Sequence, residues 1–413
     1  MNCKKRKGNH KFGFGGMMEM IYIAKDIPLW QVTIWDKKFN NVDKKWQPKT
    51  IKYKYLLSDE LDSLRVDDGD VRILYTGKDV GFTTEELAGD RLSEGEIISI
   101  PWGGIPTVKY HKGKFVTGDN RIATSKDINK LTNKYLYYFM RGNIHEIASY
   151  YRGASLKHPC MKDILKMTIS YPSVQEQNKI CGQFDVLEQI IEVRKQELQL
   201  LDDLIKARFV ELFGNPEIND MNWDEHKLSD ELSVIGGYAF KSDSFQENGI
   251  PVLRIGNINA GVFRPINLVF WKKDDTLFKY LMYPGDLVMS LTGTVGKDDY
   301  GNVCILGSEY EMYYLNQRNA KLELKDGLDK YYLAELLKFP QIKKRLTGIS
   351  RGVRQANISN KDILDLSVPI PPMKLQQQFA DFVTQVDKSK VAVQKALDET
   401  QMLFDSLMQK YFG

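Results

Sequence analysis

Two stretches of the chain place apolar side chains on an unbroken 4-3 spacing. The first runs Ile180, Phe184, Leu187, Ile191, Arg194, Leu198, Leu201, Ile205, Arg208, Leu212, with eight of ten positions apolar. The second runs Phe379, Val383, Val386, Lys390, Val393, Leu397, Thr400, Phe404, Leu407, Tyr411, again eight of ten. A 3.5-residue period held over more than four heptads predicts two long helices whose seams pair with another long helix rather than with a compact core. Ahead of each stretch the pattern changes. Short β-rich runs such as residues 97–100 and 286–291 are punctuated by glycine, and helical periods cover 133–147 and 328–346. That mixture predicts an α+β globule before each helix.

The two halves repeat one another. A shift of 199 aligns Arg152-Gly153 with Arg351-Gly352, Lys162 to Leu165 with Lys361 to Leu364, Pro172 with Pro371, Gln177 with Gln376, and Phe213-Gly214 with Phe412-Gly413. No gap is needed across those 63 positions. Upstream the echo continues at other offsets: Gly95-Glu-Ile-Ile-Ser answers Gly285-Asp-Leu-Val-Met-Ser, Arg121-Ile-Ala answers Arg318-Asn-Ala, and Ile73-Leu-Tyr-Thr-Gly answers Val252-Leu-Arg-Ile-Gly. A long-period duplication governs the fold reading before any local element does.

Connectivity sets the expected orientation. The residues from Ile180 to Leu212 span about 50 Å as a helix. The second globule leaves the C-terminal end of the first helix and enters the N-terminal end of the second, so antiparallel pairing brings those ends together. The expected architecture is α+β with two related domains, at 16–170 and 215–369, separated by helices at 171–214 and 370–413 paired as an antiparallel coiled coil about a pseudo-twofold axis. Residues 1–15, opening Met1-Asn-Cys-Lys-Lys-Arg-Lys, read as a disordered leader without the apolar core of a secretory signal.

Composition narrows the function. Apolar residues make up 42% and charged residues 27%, as in ordinary globular proteins. No apolar run approaches the roughly 20 residues that span a bilayer. Cys3, Cys160, Cys181 and Cys304 are scattered without zinc or disulfide spacing, which points to a reducing, cytoplasmic setting. The net charge of +4 is mild, but its distribution is not: residues 101–160 hold ten Lys/Arg against three Asp/Glu, and 311–360 hold ten against five. Basic stretches at corresponding places predict two surfaces that face a polyanion.

Catalytic patterns are weak. Gly293-Thr-Val-Gly-Lys-Asp hints at a phosphate loop, but Leu291 and Asp298 stand where a P-loop needs Gly and Ser/Thr. Asn215-Pro-Glu-Ile lacks the second proline and the aromatic of the amino-methyltransferase motif. The histidines His10, His111, His145, His158 and His226 have no ligand spacing. The reading is therefore a non-catalytic chain without a cofactor or metal of its own. A nuclease or methyltransferase with unrecognised motifs, or a coiled-coil scaffold that does not bind DNA, are the alternatives. The residues best suited to nucleic acid sit beside glycine-rich turns. In the second copy they are Arg254, Asn257, Asn259, Thr292, Thr294, Lys297, Arg318, Arg351 and Arg354; in the first they are Lys78, Trp102, Lys109, Arg121, Arg152 and Lys157. Arg and Asn suit base edges, and Lys suits phosphate.

These residues also carry a resemblance. Ile250-Pro-Val-Leu-Arg-Ile-Gly-Asn-Ile-Asn, Gly285-Asp-Leu-Val-Met-Ser-Leu-Thr-Gly-Thr-Val-Gly-Lys, Leu315-Asn-Gln-Arg-Asn-Ala and Gln355-Ala-Asn-Ile-Ser-Asn-Lys-Asp-Ile-Leu, with Val368-Pro-Ile-Pro-Pro before the helix, resemble the specificity subunits of type I restriction-modification systems. The first copy departs from the pattern, since Arg152-Gly-Ala-Ser-Leu-Lys-His-Pro-Cys lacks the Gln-x-Asn-Ile and Trp102 and Pro106 interrupt its glycine loop. The resemblance implies that each globule is a target-recognition domain for one half of a bipartite, asymmetric double-stranded DNA sequence. It implies that the helices fix the gap and dock two modification (methyltransferase) subunits. Restriction subunits complete the assembly, and S-adenosylmethionine, ATP and Mg belong to those partners.

Overall fold

The computed structural model describes residues 22–36, 50–77, 80–258, 261–294, 297, 299–348 and 355–413. The chain divides into two compact units, Met1–Glu192 with Leu397–Gly413 (unit 1) and Val193–Ala396 (unit 2). Both long helices are present, Val174–Phe213 and Met373–Phe412. Their division between the units follows from where their seams are buried, as described below.

Unit 1 is built on a seven-stranded sheet in the spatial order Thr50–Ile51, Thr33–Asp36, Asn120–Ser125, Ser93–Pro101, Lys109–Thr117, Val71–Leu74, Val80–Thr83. The central strand buries Ile98 and Ile100 against Trp35 and Ala123 and against the helix Asn133–Gly142, which contributes Tyr135, Leu136 and Tyr138. That helix starts cleanly because the Thr132 hydroxyl accepts the Tyr135 N–H at 3.2 Å. In unit 2 the corresponding strands form two smaller sheets. One orders Leu232–Gly236, Asn319–Leu324, Leu287–Ser290, Val303–Ile305; the other orders Val269–Trp271, Ile250–Leu253, Tyr313–Leu315, Leu281–Met282. The predicted helix over 328–346 is two helices, Lys330–Leu336 and Pro340–Thr347, because Pro340 cannot continue a helix begun before it.

Hydrogen bonds fix the equivalence of the two copies. Gln177 is fully buried; its amide oxygen accepts the Thr132 N–H at 2.8 Å, and its nitrogen donates to the Lys130 and Pro172 carbonyls. Gln376 does the same with Asp329, Gly327 and Pro371. Buried Asn120 donates to the Leu74 carbonyl at 2.9 Å, and buried Asn319 to the Leu253 carbonyl at 2.7 Å. An amide that spans two loops costs its full desolvation if unpaired, which explains why its position is held in both copies. These bonds correct one alignment from the sequence. Asn120 answers Asn319, so Arg121 answers Ala320, and Arg318 answers Asp119.

The helix seams are buried or half-buried throughout. In unit 1, Ile180, Phe184, Leu187 and Ile191 share a core with Phe404, Met408 and Phe412, and Leu397 and Leu407 pack at its margin. The Phe184 ring lies 5.2 Å from Phe404 and 5.9 Å from Phe412. In unit 2, Ile205, Phe209 and Phe213 share a core with Phe379, Val383 and Val386, with Leu201 at its margin. Leu198 and Val393 are half-buried. Near each C-terminus the burial leaves the predicted heptad. Phe209, Phe213, Met408 and Phe412 are buried, whereas Arg208, Leu212, Leu407 and Tyr411 are only half-buried. The globule causes this shift: Phe209 stacks on Tyr332 at 5.3 Å and meets Phe339 at 5.1 Å, aromatic neighbours that no helix-pairing rule supplies.

Candidate nucleic-acid interface

In unit 2 the glycine loop continues from the central strand. Thr292–Thr294 pairs antiparallel with Gln355–Asn357, in the register Thr292↔Asn357, Gly293↔Ala356, Thr294↔Gln355. A Cβ on Gly293 would lie 2.3 Å from the Asp299 carboxylate and 2.8 Å from Tyr300, so only glycine fits. The Asp299 carboxylate accepts the Thr294 N–H at 2.8 Å and its hydroxyl at 3.0 Å. The Thr294 N–H chiefly holds that carboxylate below its usual range, keeping it ionised. The Lys297 N–H closes the turn on the Thr294 carbonyl at 3.0 Å, which leaves an exposed ammonium at its tip.

Two further segments reach the same edge. The Leu291 N–H donates to the Arg318 carbonyl at 2.9 Å, placing exposed Arg318 beside the loop. Arg254 is also exposed; one guanidinium nitrogen donates to the Asn267 carbonyl at 2.6 Å, and Leu253 before it receives the Asn319 amide. Tyr238 and Gln317 belong here too and were missed in the sequence. The Gln317 N–H donates to the Tyr238 carbonyl at 2.9 Å, and Tyr238 is an exposed aromatic. Their signal was Gly236-Gly237, since a Cβ on Gly237 would meet the Asn316 carbonyl at 2.1 Å.

Several predicted contacts have other work. Asn257 is 3% exposed: its amide oxygen accepts the Arg254 N–H and its nitrogen donates to Arg264 and Ile266, so it organises a turn and does not face a ligand. Thr292 is half-buried in the paired strand. Lys78, Asn259, Arg351 and Arg354 lie outside the described residues.

Unit 1 repeats the layout with different side chains. The Trp102 N–H donates to the Asp119 carbonyl at 2.9 Å, as Leu291 does to Arg318. The Gly104 N–H donates to the Lys157 carbonyl at 3.2 Å, which matches Gly293 beside Ala356. Trp102 rests against His158 with ring centroids 5.2 Å apart. Arg152 and Lys157 are exposed, although Arg152 donates to the Ser149 carbonyl at 2.6 Å. Two expectations fail here. Arg121 is 1% exposed, paired with Asp36 at 3.1 Å and with Asp119, and its guanidinium faces the Trp102 and Tyr55 rings at 4.6 and 5.3 Å. Burial, then Asp36, pushes the Tyr55 phenol far up, so it stays neutral beside this pair. Arg121 is a core cation and cannot reach DNA. Lys109 donates to the Tyr75 carbonyl at 2.5 Å and to that of Gly77, so its ammonium closes a loop of the protein.

Among the described residues no group of three or more His, Cys, Asp or Glu side chains is placed to hold a metal ion, and no helix is long and apolar enough to cross a membrane. The family model of the type I restriction modification DNA specificity domain matches residues 62–202 and 221–400, one match in each copy. The chain is 25% identical over 350 residues to the type I restriction enzyme MjaVIII specificity subunit of Methanocaldococcus jannaschii, covering 77% of this chain and 79% of the relative. It is 26% identical over 181 residues to the EcoBI specificity subunit of Escherichia coli, covering 42% and 35%. The crystal structure of a type I restriction-modification S subunit from M. genitalium shares the fold, with a TM-score of 0.58 at 17% identity, over 96% of this chain and 97% of that one. With a domain match in each copy, this chain belongs to the type I restriction-modification DNA specificity family.

Proposed function

We propose that each unit reads one half of a bipartite, asymmetric double-stranded DNA target, and that the two long helices pair antiparallel to fix the gap between the halves. The chain is a specificity subunit that selects DNA and leaves chemistry to its partners. The same helices dock two modification subunits, and restriction subunits join that assembly in the cytoplasm. S-adenosylmethionine, ATP and Mg act on those partners; this chain holds none of them. One observation carries the reading: the same paired loops leave the same central strand in both units, yet carry different exposed side chains. A shared frame with divergent tips suits two readers of unlike half-sites. In unit 2 the DNA contacts are Arg254, Arg318, Tyr238 and Thr294, with Lys297 on phosphate; in unit 1 they are Trp102, with Arg152 and Lys157 on phosphate. Exchanging residues 215–370 for the equivalent domain of a relative, in the full chain with its modification subunits, tests the proposal by sequencing the methylated sites. One half of the site is expected to change. A change in both halves, or in neither, overturns it.

A further inference from the structure

We infer that unit 1 reads thymine methyl groups in its half-site through an apolar pair, Ile105 and Leu156, at the places where the unit 2 sequence has Thr294 and Gln355. The inference rests on the DNA-reading role proposed above. Ile105 is 77% and Leu156 54% exposed. Scattered exposed aliphatics are ordinary on protein surfaces, so exposure alone says little. Their address says more. Gly104 bonds the Lys157 carbonyl as Gly293 pairs with Ala356, so counting outward puts Ile105 in the place of Thr294 and Leu156 in that of Gln355. These are the tips of the two loops that form the interface in unit 2.

The pair also stands on a rigid base. Leu156 Cδ2 lies 3.2 Å from where a Gly103 Cβ would be, so its side chain folds over the glycine turn. Beneath, a ring nitrogen of His158 lies 2.7 Å from the Trp102 carbonyl oxygen, and the Trp102 ring is held by the buried Arg121. A reader of base edges needs such preorganisation, because a mobile side chain gives away its contact in entropy. Exposed Lys157 flanks the tip, as does Arg152, which is also paired with Asp163 at 3.7 Å, and exposed cations there suit phosphates rather than a protein surface. The methyl of thymine is the one apolar group that the major groove offers, and aliphatic side chains are its natural partners.

The test uses the full chain assembled with its modification subunits, on duplexes carrying the site it methylates. Each thymine in the half that survives exchange of residues 215–370 is replaced in turn by deoxyuridine, which removes only the methyl group. Wild type is expected to lose about fourfold in affinity at one or two positions, the worth of one buried methyl. The Ile105→Ala/Leu156→Ala variant is expected to bind thymine and deoxyuridine duplexes equally. A half-site without thymine, or a wild type indifferent to every deoxyuridine, overturns the inference. So does a folded variant that still discriminates as wild type does. Should the variant not fold, the wild-type series decides. A chain that methylates no defined sequence overturns the DNA-reading proposal itself.

Discussion

The same address in the two copies is filled in opposite ways. In unit 1, Arg121 and Asp36 form a buried ion pair on neighbouring strands, both essentially without solvent. The strand register, Trp35 opposite Ala123 and Val234 opposite Leu322, shows that unit 2 has Ala320 and Ile235 in their places. One fold thus tolerates either a salt bridge or two apolar residues, buried Ala320 and half-buried Ile235, at these places. That agrees with the general finding that a buried ion pair is no more stabilising than well-packed apolar residues, because desolvation offsets its attraction. What the pair adds in unit 1 is position: Arg121 faces Trp102, and Trp102 carries the loop that unit 2 builds on Leu291. The comparison predicts that breaking the pair harms far more than replacing it. Arg121→Leu leaves Asp36 charged and buried and is expected to cost about 3–5 kcal/mol of stability in unit 1. Adding Asp36→Asn, which keeps an acceptor for the Ile122 N–H now 2.8 Å from that side chain, is expected to recover most of the loss. Thermal unfolding of the single and double variants measures this. An equal loss in both would show that packing, not charge, decides the site.

The contrast also marks what the sequence could and could not reveal. The duplication, the two helices and the basic loops were legible because each rests on a period or a composition that survives divergence. The glutamines Gln177 and Gln376 aligned without any structure. The sequence does not place Arg121 because a buried and an exposed arginine look alike in one sequence; Asp36, 85 residues away, and the Trp102 and Tyr55 rings hold it inside. Asn257 and Lys109 failed for the same reason, their partners being backbone N–H and carbonyl groups that carry no residue signature. Phe209 and Phe213 escaped the heptad because the globule, through Tyr332, shares their burial with Phe379 of the other helix.

Glycines sharpen the comparison next. Gly293→Ala in unit 2 drives a Cβ into the Asp299 carboxylate and Tyr300, so the loop must shift; a cost of about 1–3 kcal/mol is expected, with weakened selection of the unit 2 half-site. Gly103→Ala in unit 1, one residue before the counterpart of Gly293, has its nearest approaches at 3.2 Å to Leu156 and 3.3 Å to His158, so it asks for a shift of only a few tenths of an ångström. It should leave stability within about 0.5 kcal/mol of wild type. Equal effects at the two positions, read by melting and methylated-site sequencing, would mean that the closer approach at Gly293 does not set the cost.

Arg254 has a different kind of counterpart. The aligned residue in unit 1 is Tyr75, whose hydroxyl is taken by Asp62 at 2.9 Å and whose side chain is buried. Arg254 is exposed and uses one nitrogen on Asn267, which leaves the rest of its fork for a base edge. Arg254→Ala is expected to cost about 1–3 kcal/mol on the cognate site and much less on random DNA. Binding to both duplexes by the assembled complex settles it; equal losses would remove Arg254 from the base readers.

The smallest expected effect belongs to Lys297. Its N–H donates to the Thr294 carbonyl, its ammonium is exposed, and its charge adds to the ionisation of Asp299. An exposed lysine is suited to a phosphate: it is a point charge with rotatable donors and no fork for reading a base. Neutralising one phosphate contact releases about one counterion, so Lys297→Ala should reduce the slope of log affinity against log salt by about one unit. The loss should be the same on cognate and random DNA, because phosphate spacing is common to both. In unit 1 the nearest exposed lysine on the paired loop is Lys157, on the opposite strand of the pair. Lys157→Ala is therefore expected to change the slope by a similar amount, with the two effects additive in the double variant. Titrations at several salt concentrations test both. A Lys297→Ala loss confined to the cognate sequence would make that lysine a reader instead, and would move the base contacts of unit 2 to the tip of its glycine loop.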